Sequence, residues 1–284
     1  MRLPAERIPL IPDPLRAVVR STIWTFGRAT AQARPLPDFL VIGAQKAGTT
    51  ALYSYLRAHP AITGPSWKEV SFFDRHWARG VGWYRGNFPL RAGERRVGEA
   101  SPSYLLHPRA PERARSVVPD TKLIALLREP GARAYSQYHH EVSLGREPLS
   151  FEDALAAEEE RTAGEVERMG ADPTYFSRAW WDHTYLARGR YAEQLARWLA
   201  VFPPQQLLVL TTEELSADTV TAYGRVLAFL GIAPHELGSY PRIFERVYEP
   251  MSRETRAMLD ATFAEPNRRL AGLLDRDLGW ACAA

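Results

Sequence analysis

Cysteine is almost missing from this chain: its 284 residues contain one, Cys282. Neither a disulfide framework nor a cysteine-built metal site can be assembled from that. The scarcity fits a cytoplasmic setting. Long apolar runs are missing too, and nothing approaches the roughly 18–20 residues of a membrane-spanning helix. The N-terminal stretch LRAVVRSTIWTFGRAT is interrupted by Arg16, Arg20 and Arg28, and it lacks the unbroken apolar centre of a signal peptide. We read it as an amphipathic helix packed on the body of the protein, with peripheral membrane association through its arginines as the alternative. A concentrated basic tract is also absent. With a net charge of +3, this argues against a nucleic-acid surface and for a local anion pocket. Apolar residues at 45% and charged residues at 24% give the composition of a folded globular protein.

What is present is an alternation of strand and helix patterns. Residues 1–37 form a basic, proline-rich extension, and the pattern changes at Asp38. FLVIG (39–43), KLIALL (122–127) and QLLVLT (206–211) are short apolar runs of the kind that form buried parallel strands. RRVGEAS (95–101) holds a weaker one. Helical patterns lie between them. One carries Leu52, Tyr55 and Leu56, one opens near Pro130, one aligns Leu195, Trp198, Leu199 and Phe202, and one ends at Gly231. This order predicts an α/β fold over residues 38–284, three-layered α/β/α around a central parallel sheet. Such sheets bind ligands at the C-terminal ends of their strands, where Gly43 and Arg128 should both lie. The acidic EDALAAEEERTAGEVE (152–167) is expected to be a solvated helical face. An aromatic-rich insertion covers about residues 145–190. Its YFSRAWWDHTYLARGRY (175–191) either anchors the insertion or stacks on an acceptor.

The stretch DFLVIGAQKAGTTALYSYLRAHP (38–60) reads as strand, glycine-containing loop, helix. It nearly matches the phosphate loop GxxxxGK[ST], in which the lysine reaches the outer phosphates and the hydroxyl holds magnesium. Gly43, Gly48 and the hydroxyl of Thr50 are kept, but Thr49 takes the lysine's place and Lys46 stands three residues earlier. The N–H groups at 47–50 can still bind an anion at a helix N-terminus. The helper charge now addresses a different part of the ligand. No strong apolar strand ends in an aspartate that would hold magnesium. The loop is therefore P-loop-like, and it suits a metal-free phosphate donor better than ATP.

GAQKAGTTALYSYLRAHP, WKEVSFFD, GEASPSYLLHP and LIALLREPGARAYSQYHHE occur in this order, followed by RGRYAEQLARWLAVFPPQQLLVLTTEEL and NRRLAGLLDRDLGW. Together they resemble the sulfotransferases that use 3′-phosphoadenosine 5′-phosphosulfate (PAPS), in the branch of the heparan-sulfate enzymes and their bacterial relatives. The resemblance covers residues 38–284. It implies transfer of a sulfuryl group to a hydroxyl, or less readily an amine, of a glycan, glycolipid or secondary metabolite. It assigns the 5′-phosphosulfate to Gln45, Lys46, Ala47, Gly48, Thr49 and Thr50. It sets Lys46 beside the bridging oxygen, where negative charge grows during transfer.

The resemblance also places Arg128 and Ser136 on the donor's 3′-phosphate. The residues agree with this: an arginine ending a buried strand is held rigidly and can bind phosphate through two bonds. The competing partner for Arg128 is Glu129. Glu69 matches the family's general base. A carboxylate is a weak base in water, so partial burial by Phe72, Phe73 or Trp67 is expected to strengthen it. His76 and His107 are the rival bases, and His139 and His140 read as helix surface or packing. Two positions depart from the family. Ala100 replaces a lysine near the acceptor, and Arg246 stands where a glycine- and lysine-bearing loop closes over the donor. Glu99 and Ser103 are candidates for acceptor contact. The rival readings are a P-loop kinase and a non-catalytic nucleotide-binding protein.

Overall fold

The computed structural model describes residues 27, 29–65, 67–90, 93–241 and 249–280. The predicted N-terminal helix lies almost wholly outside them, and so does Arg246. The strands are β1 (Phe39–Gly43), β2 (Ile62–Thr63), β3 (Arg96–Ala100), β4 (Lys122–Leu127) and β5 (Leu207–Thr211). They form one parallel sheet in the order β2-β3-β1-β4-β5. The central strand is apolar on both faces because helices cover both. Phe39, Leu40, Val41 and Ile42 are fully buried, each contributing about 1.5–3 kcal/mol relative to exposure.

The helices that position the site are α1 (Thr49–Ala58) after β1, α2 (Gly80–Gly86) before β3, α3 (Ala110–Val117) before β4 and α4 (Pro130–Ser143) after β4. Helix α1 buries Leu52, Tyr53, Tyr55 and Leu56 against the sheet. Helix α4 has Pro130 in its first turn, and its N-cap Glu129 accepts from the N–H groups of Gly131 and Ala132. Four short helices follow: α5 (Phe151–Ala156), α6 (Glu158–Thr162), α7 (Glu165–Ala171) and α8 (Arg178–His183). Then come α9 (Tyr191–Leu199), α10 (Thr212–Ala217), α11 (Thr219–Leu230) and α12 (Arg253–Leu274).

Two elements carry no clear sequence signal. Strand β2 has two residues, too few for a period. Helix α12 contains Pro266, which reads as a break when tertiary context is unknown. It is held by Leu259 and Phe263, which pack with Ala134, Phe151 and Tyr185.

The acidic stretch 152–167 is not simply a solvated face. Glu158 is buried, and its carboxylate accepts N–H groups from Tyr185 (2.8 Å), Leu186 (2.5 Å) and Ala187 (2.8 Å). Glu165 is buried as well and accepts from the Tyr175 hydroxyl at 2.7 Å. The reason is topological: the segment from Glu158 to Ala187 folds back on itself, so backbone donors at its end need acceptors from its start. Tyr185, part of the aromatic run, is fully buried in the second core cluster and its hydroxyl donates to Glu147 at 2.8 Å.

Candidate active site

All five strands point the same way, so their C-terminal ends share one edge and the loops after them converge there. Gly43 ends β1. A β-carbon added to it would lie 2.5 Å from Leu105 Cβ, so only glycine lets the chain turn this close to the segment after β3. The loop runs from Ala44 to Gly48. Lys46 (φ 68°) and Gly48 (φ 88°) both take left-handed conformations, which curl the backbone toward the start of α1. Gly48 occupies the N-cap and supplies no side-chain cap. The first-turn N–H groups of α1 have no carbonyl ahead of them within the helix. This is the geometry of an anion site.

Contacts across the sheet hold the loop. Ala44 N–H donates to Leu126 O at 2.6 Å, and the Thr212 hydroxyl lies 2.7 Å from Ala47 O and 2.9 Å from Leu127 O. The guanidinium of Arg128 donates to Lys46 O at 3.2 Å. Glu129 does not take Arg128. It caps α4 and binds Arg256 at 2.8 Å instead. Tyr191 donates its hydroxyl to Arg128 O at 2.9 Å, fixing the backbone at that corner. Gln45 Oε1, in the loop after β1, is buried without a hydrogen bond among the described residues. Buried polar atoms are normally paired, so this oxygen is available to a ligand donor. Ser136 is buried on α4.

Opposite the loop runs the segment that carries Lys68 and Glu69. It is pinned by buried Glu99. Glu99 Oε1 accepts from the hydroxyls of Ser101 (2.6 Å) and Tyr104 (2.7 Å), and Oε2 accepts from Tyr84 (2.5 Å). The Ser101 oxygen then accepts Ser71 N–H at 3.0 Å, and the Tyr104 oxygen accepts Phe72 N–H at 2.7 Å. Burial pushes the Glu99 carboxyl up, while the three hydroxyl donors pull it down. Glu99 and Ser103 are sealed from solvent, so direct contact with an acceptor is not available to them. Ala100, on the same strand, is buried too.

Lys68 reaches back to the loop. Its Nζ lies 2.9 Å from Thr50 Oγ1, 3.4 Å from Thr49 Oγ1 and 3.5 Å from Glu69 Oε1. Burial pushes the Lys68 ammonium below its ordinary range, and Glu69 works against that. The aromatic shelter expected for Glu69 is different in fact. Phe72 and Phe73 turn into the core beside Tyr84, leaving the Glu69 side chain 35% exposed next to the exposed Trp67. The rival histidines are poor bases here. Burial among Arg113, Arg109 and Arg197 takes His107 down to about 3, and burial beside Arg79 and Arg75 takes His76 to about 4.

A sequence profile for the sulfotransferase domain matches residues 36–255. This chain belongs to the sulfotransferase family. The family chain is 32% identical over 308 residues to the human bifunctional heparan sulfate N-deacetylase/N-sulfotransferase 3, covering 96% of itself and 33% of that protein. It is 37% identical over 199 residues to the mouse heparan sulfate glucosamine 3-O-sulfotransferase 6, covering 70% of itself and 53% of the relative. The chain thus spans a third to about half the length of these relatives. Among solved structures, it resembles a sulfotransferase from Alicyclobacillus acidocaldarius at 33% identity and a TM-score of 0.70, over 86% of this chain and 98% of that one. A mouse sulfotransferase solved with PAP shares the fold, at 15% identity and a TM-score of 0.53. The three-layer fold read from the strand–helix alternation is the sulfotransferase fold. Three supports of this edge have roles that the sequence does not show: Thr212 ties the loop to β4, Tyr191 holds the backbone of Arg128, and Glu99, expected at the acceptor, instead braces the Lys68–Glu69 segment. A threonine directly after an apolar strand was the available hint for Thr212.

Proposed function

We propose that this chain transfers a sulfuryl group from PAPS to a hydroxyl of a ring-bearing acceptor. One observation carries the reading. An uncapped helix N-terminus with Lys46 in its loop faces a Lys68–Glu69 pair on one side and is tied to Arg128 on the other. The donor's chemistry matches these groups. Its 5′-phosphosulfate suits the N–H groups of residues 47–50 with the Gln45, Thr49 and Thr50 side chains, and its 3′-phosphate suits Arg128 and the hydroxyl of Ser136.

The chain's own groups divide the work. Lys46 serves as the cation for the charge that develops on the leaving phosphate. Glu69, whose side chain is partly exposed, takes the hydroxyl proton. The acceptor oxygen bonds to sulfur as the sulfur–oxygen bond to phosphate breaks, and the electron pair stays with 3′-phosphoadenosine 5′-phosphate (PAP). For the acceptor we look to the aromatic faces and cations of the 175–191 stretch and Arg75. Arg75 stacks over Phe176 at 4.8 Å, and Phe176 packs on Trp181 at 5.3 Å. Such surfaces suit a sugar or another ring with an acidic substituent. The names of the relatives above favour a carbohydrate.

The test has two parts. PAP should raise the melting temperature and ATP with magnesium should not. Incubation with PAPS and a panel of carbohydrates, glycolipids and aromatic metabolites should then yield a sulfonated product by mass spectrometry. Stabilisation by ATP with magnesium and not by PAP would favour a kinase instead.

A further inference from the structure

This chain writes its positive charge as arginine. Of its 36 basic residues only Lys46, Lys68 and Lys122 are lysines. Lys122 is a framework residue at the start of β4, its ammonium bonded to Phe229 O at 2.5 Å. The other two lie at the anion loop. Lys46 is part of the loop itself. Lys68 comes from a separate segment and is the side chain that touches both the loop hydroxyls and the Glu69 carboxylate.

The quality of those contacts matters. The bond to Thr50 is well made at 2.9 Å, whereas those to Thr49 (3.4 Å) and Glu69 (3.5 Å) are at the long limit. An ammonium has three donors, so two can pass to ligand oxygens at little cost. The side chain is 18% exposed, so its field is screened less than that of a surface lysine. Because Thr50 Oγ1 accepts from Lys68, its own proton is free to point elsewhere and is polarised as a donor.

We propose that Lys68 is a second catalytic cation, one that holds the non-bridging oxygens of the migrating sulfuryl group between the donor loop and Glu69. The proposal rests on the sulfuryl-transfer reading above. Lys68 neither gains nor loses a proton in the step. The acceptor's proton goes to Glu69, and the sulfuryl group exchanges one oxygen partner for another while its outer oxygens stay on the ammonium. A compact ammonium on a flexible stem can follow that movement. A planar guanidinium would lock onto the Glu69 carboxylate with two parallel bonds.

The experiment needs no acceptor. PAPS carries the sulfuryl group and PAP lacks it, so calorimetric binding of each to wild type, Lys68→Ala and Lys68→Arg isolates the contact. Lys68→Ala should bind PAP within about twofold of wild type and PAPS about tenfold more weakly. Lys68→Arg should keep PAP binding without restoring PAPS. Lys68→Met, which keeps the aliphatic stem, carries the same expectation should the alanine variant not fold. Equal weakening of both ligands makes Lys68 part of the phosphate cradle and overturns the proposal, as does no weakening of either. Wild type that binds neither ligand defeats the donor reading itself, a different result from both.

Discussion

The guanidinium of Arg128 donates to the backbone oxygen of Lys46 across 3.2 Å, joining the end of β4 to the loop after β1. Two groups proposed to bind the donor's anions thus meet although they come from distant parts of the chain. The contact uses one of five guanidinium donors and leaves the others for a ligand. Removing the side chain should therefore act chiefly on binding of the 3′-phosphate. Arg128→Ala is expected to weaken PAP binding by roughly 10–100-fold. Adenosine 5′-phosphosulfate, which lacks the 3′-phosphate, should lose much less. Calorimetry with both nucleotides checks this, and equal losses would remove Arg128 from the 3′-phosphate.

Lys46 and Glu69 should separate binding from turnover. Lys46→Ala is expected to lower kcat about 10²–10³-fold, because a fixed charge near the leaving oxygen acts mainly in the transition state. Glu69→Gln keeps shape but cannot take a proton, and should lower kcat about 10²–10⁴-fold with PAP binding intact. Single-turnover kinetics with any acceptor found in the panel would measure both. Full turnover by Glu69→Gln would send the search for the base elsewhere.

Glu99 acts at one remove. Its carboxylate holds the Ser101 and Tyr104 hydroxyls that accept the N–H groups of Ser71 and Phe72. Glu99→Gln introduces an amide NH₂ where hydroxyl donors already point, costing about 1–3 kcal/mol of stability. It should also lower kcat more than PAP affinity, because the Lys68–Glu69 segment loses its support. Chemical unfolding together with PAP titration tests the split. Loss of stability with unchanged kcat would confine Glu99 to folding.

Asp74 predicts a pH dependence of stability. Burial raises its carboxyl to about 7, and its Oδ2 has no hydrogen-bond partner among the described residues. The sign follows from linkage. The folded state holds this proton more tightly than the unfolded chain, so Asp74 costs nothing near pH 3 and progressively more as pH rises toward 7. Asp74→Asn should match wild type near pH 4 and be more stable at pH 8, by at most about 4 kcal/mol. Melting curves at the two pH values decide it. An equal difference at both would mean that Asp74 ionises freely in the folded protein.

Much of the framework was legible because its signals are local. FLVIG and KLIALL are apolar without interruption because both faces of their strands are covered, and both fold as read. The loop was legible for a related reason: a backbone cradle for an anion must be built from consecutive residues, so its glycines and its displaced lysine sit in one short window. Glu158 was misread because its partners lie in the segment from Tyr185 to Ala187, and helical composition alone suggested solvent. Phe72 and Phe73 were placed beside Glu69 by proximity in sequence, yet they enter the core.

By itself the sequence determined the main strands and helices, the glycine-bearing loop after β1 and the family, since each is written in contiguous residues with their own periodicity or spacing. Tertiary structure alone decided which side chains meet. Lys68 and Thr50 are separated by 18 positions and Arg128 and Lys46 by 82. Those pairs exist because the sheet orders its strands β3-β1-β4 and folds the following loops onto one edge. No local pattern encodes that order. It is selected by how the whole chain buries its apolar surface.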